Sequence, residues 1–190
     1  MKTTRLEAFS DGVLAIIITI MVLEIKIPHG DRFLDLIPLV PIFLSYLLSF
    51  IYIGIYWNNH HHLFSAAQSV SGNVLWANLN LLFWISLLPF ATGWMGENHF
   101  TATPTALYGL VLLLAAIAYF ILVHALIKHE GEKSLVGKAI GKDFKGKISI
   151  ILYALAILIA YVFTEIAQLI YVIVAIMWFI PDKRIEDLMK

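Results

Sequence analysis

Six apolar stretches, four of them more than twenty residues long, constrain this chain more than any other feature of its sequence. They cover about residues 6–27, 36–57, 74–95, 105–127, 148–163 and 167–180. A bilayer core about 30 Å thick is crossed by about 20 consecutive apolar residues in a helix. An α-helix also satisfies every peptide group within its own segment, as hydrocarbon requires. Residues 148–180 run on almost unbroken, interrupted chiefly at Thr164 and Glu165. As one helix they would reach about 50 Å, so two short spans with a tight turn at Thr164–Glu165 are expected. The composition agrees: 61% of the 190 residues are hydrophobic and 14% charged, with a mean hydropathy of +0.86. Soluble domains carry about 25% charged residues. The expected fold is an all-α membrane protein with six transmembrane helices per subunit. Residues 1–190 are expected to form a single transmembrane domain, with no room for a separate soluble one.

Loop charges set the orientation. Of the 13 basic residues, eleven lie on the side shared by the two termini: Lys2, Arg5, the six lysines of "KHEGEKSLVGKAIGKDFKGK" (128–147), Lys183, Arg184 and Lys190. Only Lys26 and Arg32 lie opposite. The positive-inside rule then places both termini in the cytoplasm of a multi-pass protein of the cell membrane. The 128–147 loop reads as a solvated connector with a short helix, able to touch anionic lipid although three acids dilute its charge. The net charge is zero and nothing suggests nucleic acid; the absence of cysteine removes disulfides and thiolate metal sites. The apolar run at the N-terminus is too long for a cleavable signal, and no small-residue cleavage site follows it. No internal repeat stands out.

The first helix carries charge near its entrance. Thr4-x-x-Glu7 fits a capping box, which starts the helix near Arg5, and Pro28 marks its end. At about 100° per residue, Arg5, Phe9, Gly12, Ile16, Ile20 and Leu23 share one stripe, with Thr19 at its margin. Asp11 falls nearly opposite and Ser10 well off the stripe, so both need polar partners on neighbouring helices. Six residues separate Arg5 from Asp11, so they do not meet within the helix. Periodicity alone does not distinguish a packed apolar seam from the lining of a pore.

The motif Arg5-x-x-x-Phe9-Ser10-Asp11, within "RLEAFSDGVLAIIITIMVLEIKIP", resembles the first-helix signature of the endolysosomal potassium channel family, the transmembrane protein 175 family, in its bacterial members. "YWNNHHHLF" (56–64), "NLNLLFWISLLPF" (78–90), "ALYG" (106–109) and "PDKR" (181–184) are similar to later segments of that family in the same order. The resemblance implies a homotetramer in the lipid bilayer, with one central pore lined by the first helix and monovalent cations, chiefly K+, as the permeant species. It places the apolar constriction at Ile16, Ile20 and Leu23 and Thr19 beside the ion path. It assigns Arg5, Phe9, Ser10 and Asp11 to the network holding the pore helices. A hydrophobic constriction gates by dewetting, and without a TVGYG-like carbonyl filter the selectivity for K+ over Na+ is expected to be modest.

The remaining polar residues have competing readings. "NNHHH" (58–62) ends the second span, and His124 and His129 lie at the same depth on the fourth. Histidines so placed could ligate haem or a metal, hydrogen-bond at the interface, or partner the first helix. In the last reading His60 or His61, with Asn78, meets Arg5, Ser10 or Asp11. Glu24 is either part of a negative ring at the pore mouth or an interfacial carboxylate beside Lys26 or Arg32. Pro89 is expected to kink the third span. The tryptophans near span ends read as interfacial anchors. The expectation is therefore a channel without metal or cofactor. A secondary transporter is the alternative, although neither paired broken helices nor related halves are visible. No Ser–His–Asp set or phosphate-cradling loop suggests an enzyme.

Overall fold

The computed structural model describes residues 2–140 and 143–179, and its secondary structure there is helical throughout. Lys142, Lys183, Arg184 and Lys190, the "PDKR" segment and the end of the sixth stretch at residue 180 lie outside the described residues.

Helix α1 spans Thr4–Leu23. The expected capping box does not form. Thr3 precedes the helix with φ −69° and ψ −34°, a helical conformation without a side-chain cap. A capping side chain needs an extended N-cap backbone. The Thr3 carbonyl instead accepts from the Leu6 and Glu7 amides. The helix also stops four residues before position 27. Its last bonds tighten to Glu24 N–H on the Met21 carbonyl and Ile25 N–H on the Val22 carbonyl, and Pro28 disfavours helical backbone at the residue before it.

A 3-10 turn at Phe33–Leu39 leads into α2, Val40–Ser65. At about 39 Å, α2 runs eight residues past the expected end at 57. Asn58–His62 therefore lie inside a helix rather than at its terminus. The third stretch is two helices, α3 (Gly72–Ser86) and α4 (Leu88–Glu97). They part at Leu87, where Pro89 lacks an amide hydrogen and its ring crowds the carbonyl four residues earlier. Helix α5 covers Ala102–Glu130, α6 is the short Leu135–Ile140, and α7 (Phe144–Ile159) and α8 (Thr164–Phe179) are the last helices among the described residues.

The turn between α7 and α8 corrects the expectation. It occupies residues 160–163, while Thr164 and Glu165 form the first turn of α8. A carboxylate there complements the positive end of the helix dipole, and the Thr164 hydroxyl donates back to the Ala160 carbonyl at 3.0 Å. The polar pair thus starts a helix, and the turn itself is made of apolar residues.

By length and composition, Thr4–Leu23, Phe33–Ser65, Gly72–Glu97 and Ala102–Glu130 are long and apolar enough to cross a membrane. Helices α7 and α8 have 16 residues each, about 24 Å. The chain is a multi-pass membrane protein. Helix α5 packs against α3, α4, α7 and α8, and α2 against α4 and α8; α1 touches α2, α3 and α4 along one side of the bundle. Buried hydroxyls knit the helices around α2: Ser49 bonds Thr92 at 2.6 Å and Tyr108 at 3.0 Å. Tyr52 donates to the Tyr171 carbonyl at 2.6 Å and accepts from Tyr153 at 3.2 Å. Hydrocarbon supplies no partner for these groups, so they bond one another. Gly96 permits a close approach of α4 to α2: a Cβ there would lie 2.5 Å from Ser45 Oγ and 2.8 Å from Cα of Ile42.

Candidate pore helix and its polar anchor

Helix α1 presents two unlike faces. Leu6, Ser10, Leu14, Ile17 and Met21 point into the bundle and are at most 5% exposed. About 120° round the helix, Phe9, Ile16, Ile20 and Leu23 are open, with Ile16 at 59% and Leu23 at 79% exposure. Arg5, Gly12 and Thr19 on the same side are open too. Among the described residues the stripe is therefore not a packing seam. The Thr19 hydroxyl donates to the Ile16 carbonyl at 2.8 Å, so its hydrogen is spent and its lone pairs face outward.

Ser10 is fully buried and anchors the inward face. Its Oγ donates to the Leu6 carbonyl at 2.9 Å and accepts from Asn78 Nδ2 at 2.9 Å. Asn78 Oδ1 lies 2.8 Å from His60 Nε2. An amide oxygen only accepts, so His60 carries its proton on Nε2. The chain Ser10–Asn78–His60 joins α1, α3 and α2, and each member is at most 2% exposed. The His60 ring also packs 4.6 Å from that of Phe64.

Asp11 finds a different partner. Its Oδ1 accepts from the Trp57 indole N–H at 3.0 Å, and Trp57 stacks on His61. By sequence alone Trp57, at the expected end of the second span, reads only as an interfacial tryptophan. Asp11 required a donor, and Trp57 lies close to His60 and His61 along α2, which was the available signal. The four motif residues thus divide. Ser10 and Asp11 reach α3 and α2, while Arg5 and Phe9 lie on the open side, lining a groove of about 300 Å³ with Lys2 and Leu79. His61 meets Trp57 rather than Arg5. A Trp57→Phe variant keeps an aromatic ring and loses the bond to Asp11. We expect it to lower stability by about 1–2 kcal/mol, read as a lower melting temperature in detergent.

At the other end of α1, Glu24 sits over Gly93 of α4. The two cations considered for it bond elsewhere: Lys26 pairs with Glu97 at 2.7 Å and Arg32 with Asp35 at 3.4 Å. The neighbouring Glu97 raises the Lys26 pKa above the ordinary lysine value. A groove of about 600 Å³ runs between α1 and α4, with Ile16, Ile20, Glu24, Phe90 and Glu97 among its walls. The other histidines weighed as ligands have local partners. His124 Nδ1 donates to the Phe120 carbonyl at 2.8 Å, and His129 Nε2 lies 3.1 Å from the Ser69 hydroxyl. Among the described residues no three of His, Asp or Glu gather into a metal site.

Helix α1 is bonded into the bundle along one face and leaves its apolar stripe open to lipid or to another subunit, and the relatives of this chain are named as channels. A potassium channel of Chryseobacterium sp. is 56% identical over 190 residues, covering all of this chain and 99% of its own. A potassium channel of Streptomyces collinus is 36% identical over 62% of this chain and 61% of its own. The crystal structure of a lysosomal potassium-selective channel TMEM175 homolog from Chamaesiphon minutus superposes with a TM-score of 0.79 at 29% identity, covering 95% of this chain and 97% of that one. The family described as the endosomal/lysosomal potassium channel TMEM175 matches residues 5–89. This chain belongs to the TMEM175 family, as a bacterial-type member.

Proposed function

We propose that the chain is one subunit of a homotetrameric, potassium-permeable cation channel of the cell membrane. Each subunit crosses the bilayer six times, α7 and α8 making the last two crossings, with both termini cytoplasmic. Helix α1 lines the central pore. Four copies of Ile16, Ile20 and Leu23 stack as an apolar constriction, Thr19 contributes to a modest K+ over Na+ preference, and Glu24 lies at the outer mouth. Arg5, Phe9, Ser10 and Asp11, with His60 and Asn78, set the position of the pore helix. No cofactor is needed beyond the permeant ion.

The carrying observation is the division of α1: a buried polar anchor on one face, and on the other an apolar stripe left open among the described residues. Potassium-channel relatives spanning essentially the whole chain support the same reading. The test is reconstitution into planar bilayers with K+ and Na+ on opposite sides. Discrete current steps reversing on the K+ side of zero are expected. Saturable flux without steps would instead favour a secondary transporter. Native mass spectrometry should find four copies, and a monomer or dimer that still conducts would overturn the assembly.

A further inference from the structure

The connector between α5 and α7 carries six lysines against three acids over residues 128–147. Three acids, Glu130, Glu132 and Asp143, dilute the lysines of this segment. Two of them are turned onto backbone amides. Glu130 Oε1 accepts from the Gln68 and Ser69 N–H groups at 2.6 and 3.0 Å, closing the loop between α2 and α3. Asp143 Oδ1 accepts from Gly146 N–H at 3.2 Å, capping α7. Glu132 is exposed among exposed Lys128, Lys133 and Lys138, whereas Glu130 and Asp143 are half-buried. Two large apolar side chains project outward nearby, Leu135 at 40% and Phe144 at 73% exposure.

We propose that this connector is a binding surface for anionic phospholipid of the inner leaflet. Phe144 begins α7 at the foot of a membrane helix, where an exposed ring enters the boundary between headgroups and acyl chains. Lys133 and Lys138, either side of Leu135, meet lipid phosphates there. A zwitterionic headgroup offers these lysines no net charge, so the surface selects anionic lipid. The inference rests on the proposed cytoplasmic placement of this loop. A lysine near an anionic surface is worth about fivefold in binding, so two act together.

The test uses the full-length protein in detergent. Native mass spectrometry counts lipids retained from equal amounts of phosphatidylglycerol and phosphatidylcholine. The parent should retain more phosphatidylglycerol, and the double variant Lys133→Gln/Lys138→Gln should lose at least tenfold of that preference at an unchanged melting temperature. Glu132→Gln should strengthen the preference. Excess inorganic phosphate should not displace the lipid; displacement would identify a free-phosphate site and overturn the lipid assignment. Equal retention of the two lipids, or a double variant that keeps the preference, would also overturn it. These readouts do not involve current, so a protein that binds phosphatidylglycerol but does not conduct contradicts the channel reading alone.

Discussion

Replacing Ile16 by asparagine should raise unit conductance severalfold and bring the K+ to Na+ permeability ratio toward one. Ile16 and Leu23 are separated by about 10 Å along the helix, and with Ile20 they fall within about 60° on its open side. In the proposed tetramer they would form stacked rings without a ligand for a bare cation. The barrier to conduction is then largely the cost of shedding water, which apolar walls do not repay. Four asparagine amides would repay part of it, and about 1 kcal/mol off the barrier is about fivefold in rate. Selectivity falls because a partly hydrated ion passes with less discrimination. Thr19→Val is the companion: nearly isosteric, it removes only a hydroxyl that the proposed ion path would meet, so selectivity should fall while assembly is kept. Reversal potential and single-channel conductance check both variants. If neither quantity changes in either variant, the stripe faces lipid or packs against another copy, and the pore lies elsewhere.

Asn78→Leu should produce the largest loss of stability. Asn78 is the one side chain that both donates to Ser10 and accepts from His60. Leucine leaves the His60 N–H without its acceptor and Ser10 without its donor, both buried. Each stranded group costs about 1–3 kcal/mol. For a chain of this length a total of about 2–6 kcal/mol lowers the melting temperature by about 5–25 °C. Ser10→Ala should cost less, because Asn78 and His60 keep each other. The melting temperature of the solubilised oligomer checks the order. If Asn78→Leu and Ser10→Ala melt together with the parent, the buried chain does not hold α1 in place.

The helical membrane architecture was legible in the sequence because hydropathy over twenty residues is a local property and a bilayer leaves the backbone few alternatives. The two faces of α1 were legible for the same reason: Ile16, Ile20 and Leu23 share a side by helical geometry alone, and Ser10 and Asp11 leave it. Helix ends were less so. The tight turn at Thr164–Glu165 proved to be the first turn of α8, because a glutamate suits a helix N-terminus as well as it suits a turn. The tertiary structure decided what the polar side chains meet. Asn78 stands 68 residues from Ser10 and Trp57 stands 46 from Asp11. Those separations carry no periodicity; the pairings arise where α2 and α3 pass α1 at a common depth. Only packing brought His60 through Asn78 to Ser10 and sent His61 to Trp57 instead, since two adjacent histidines on one helix point about 100° apart and a single approach angle selects between them.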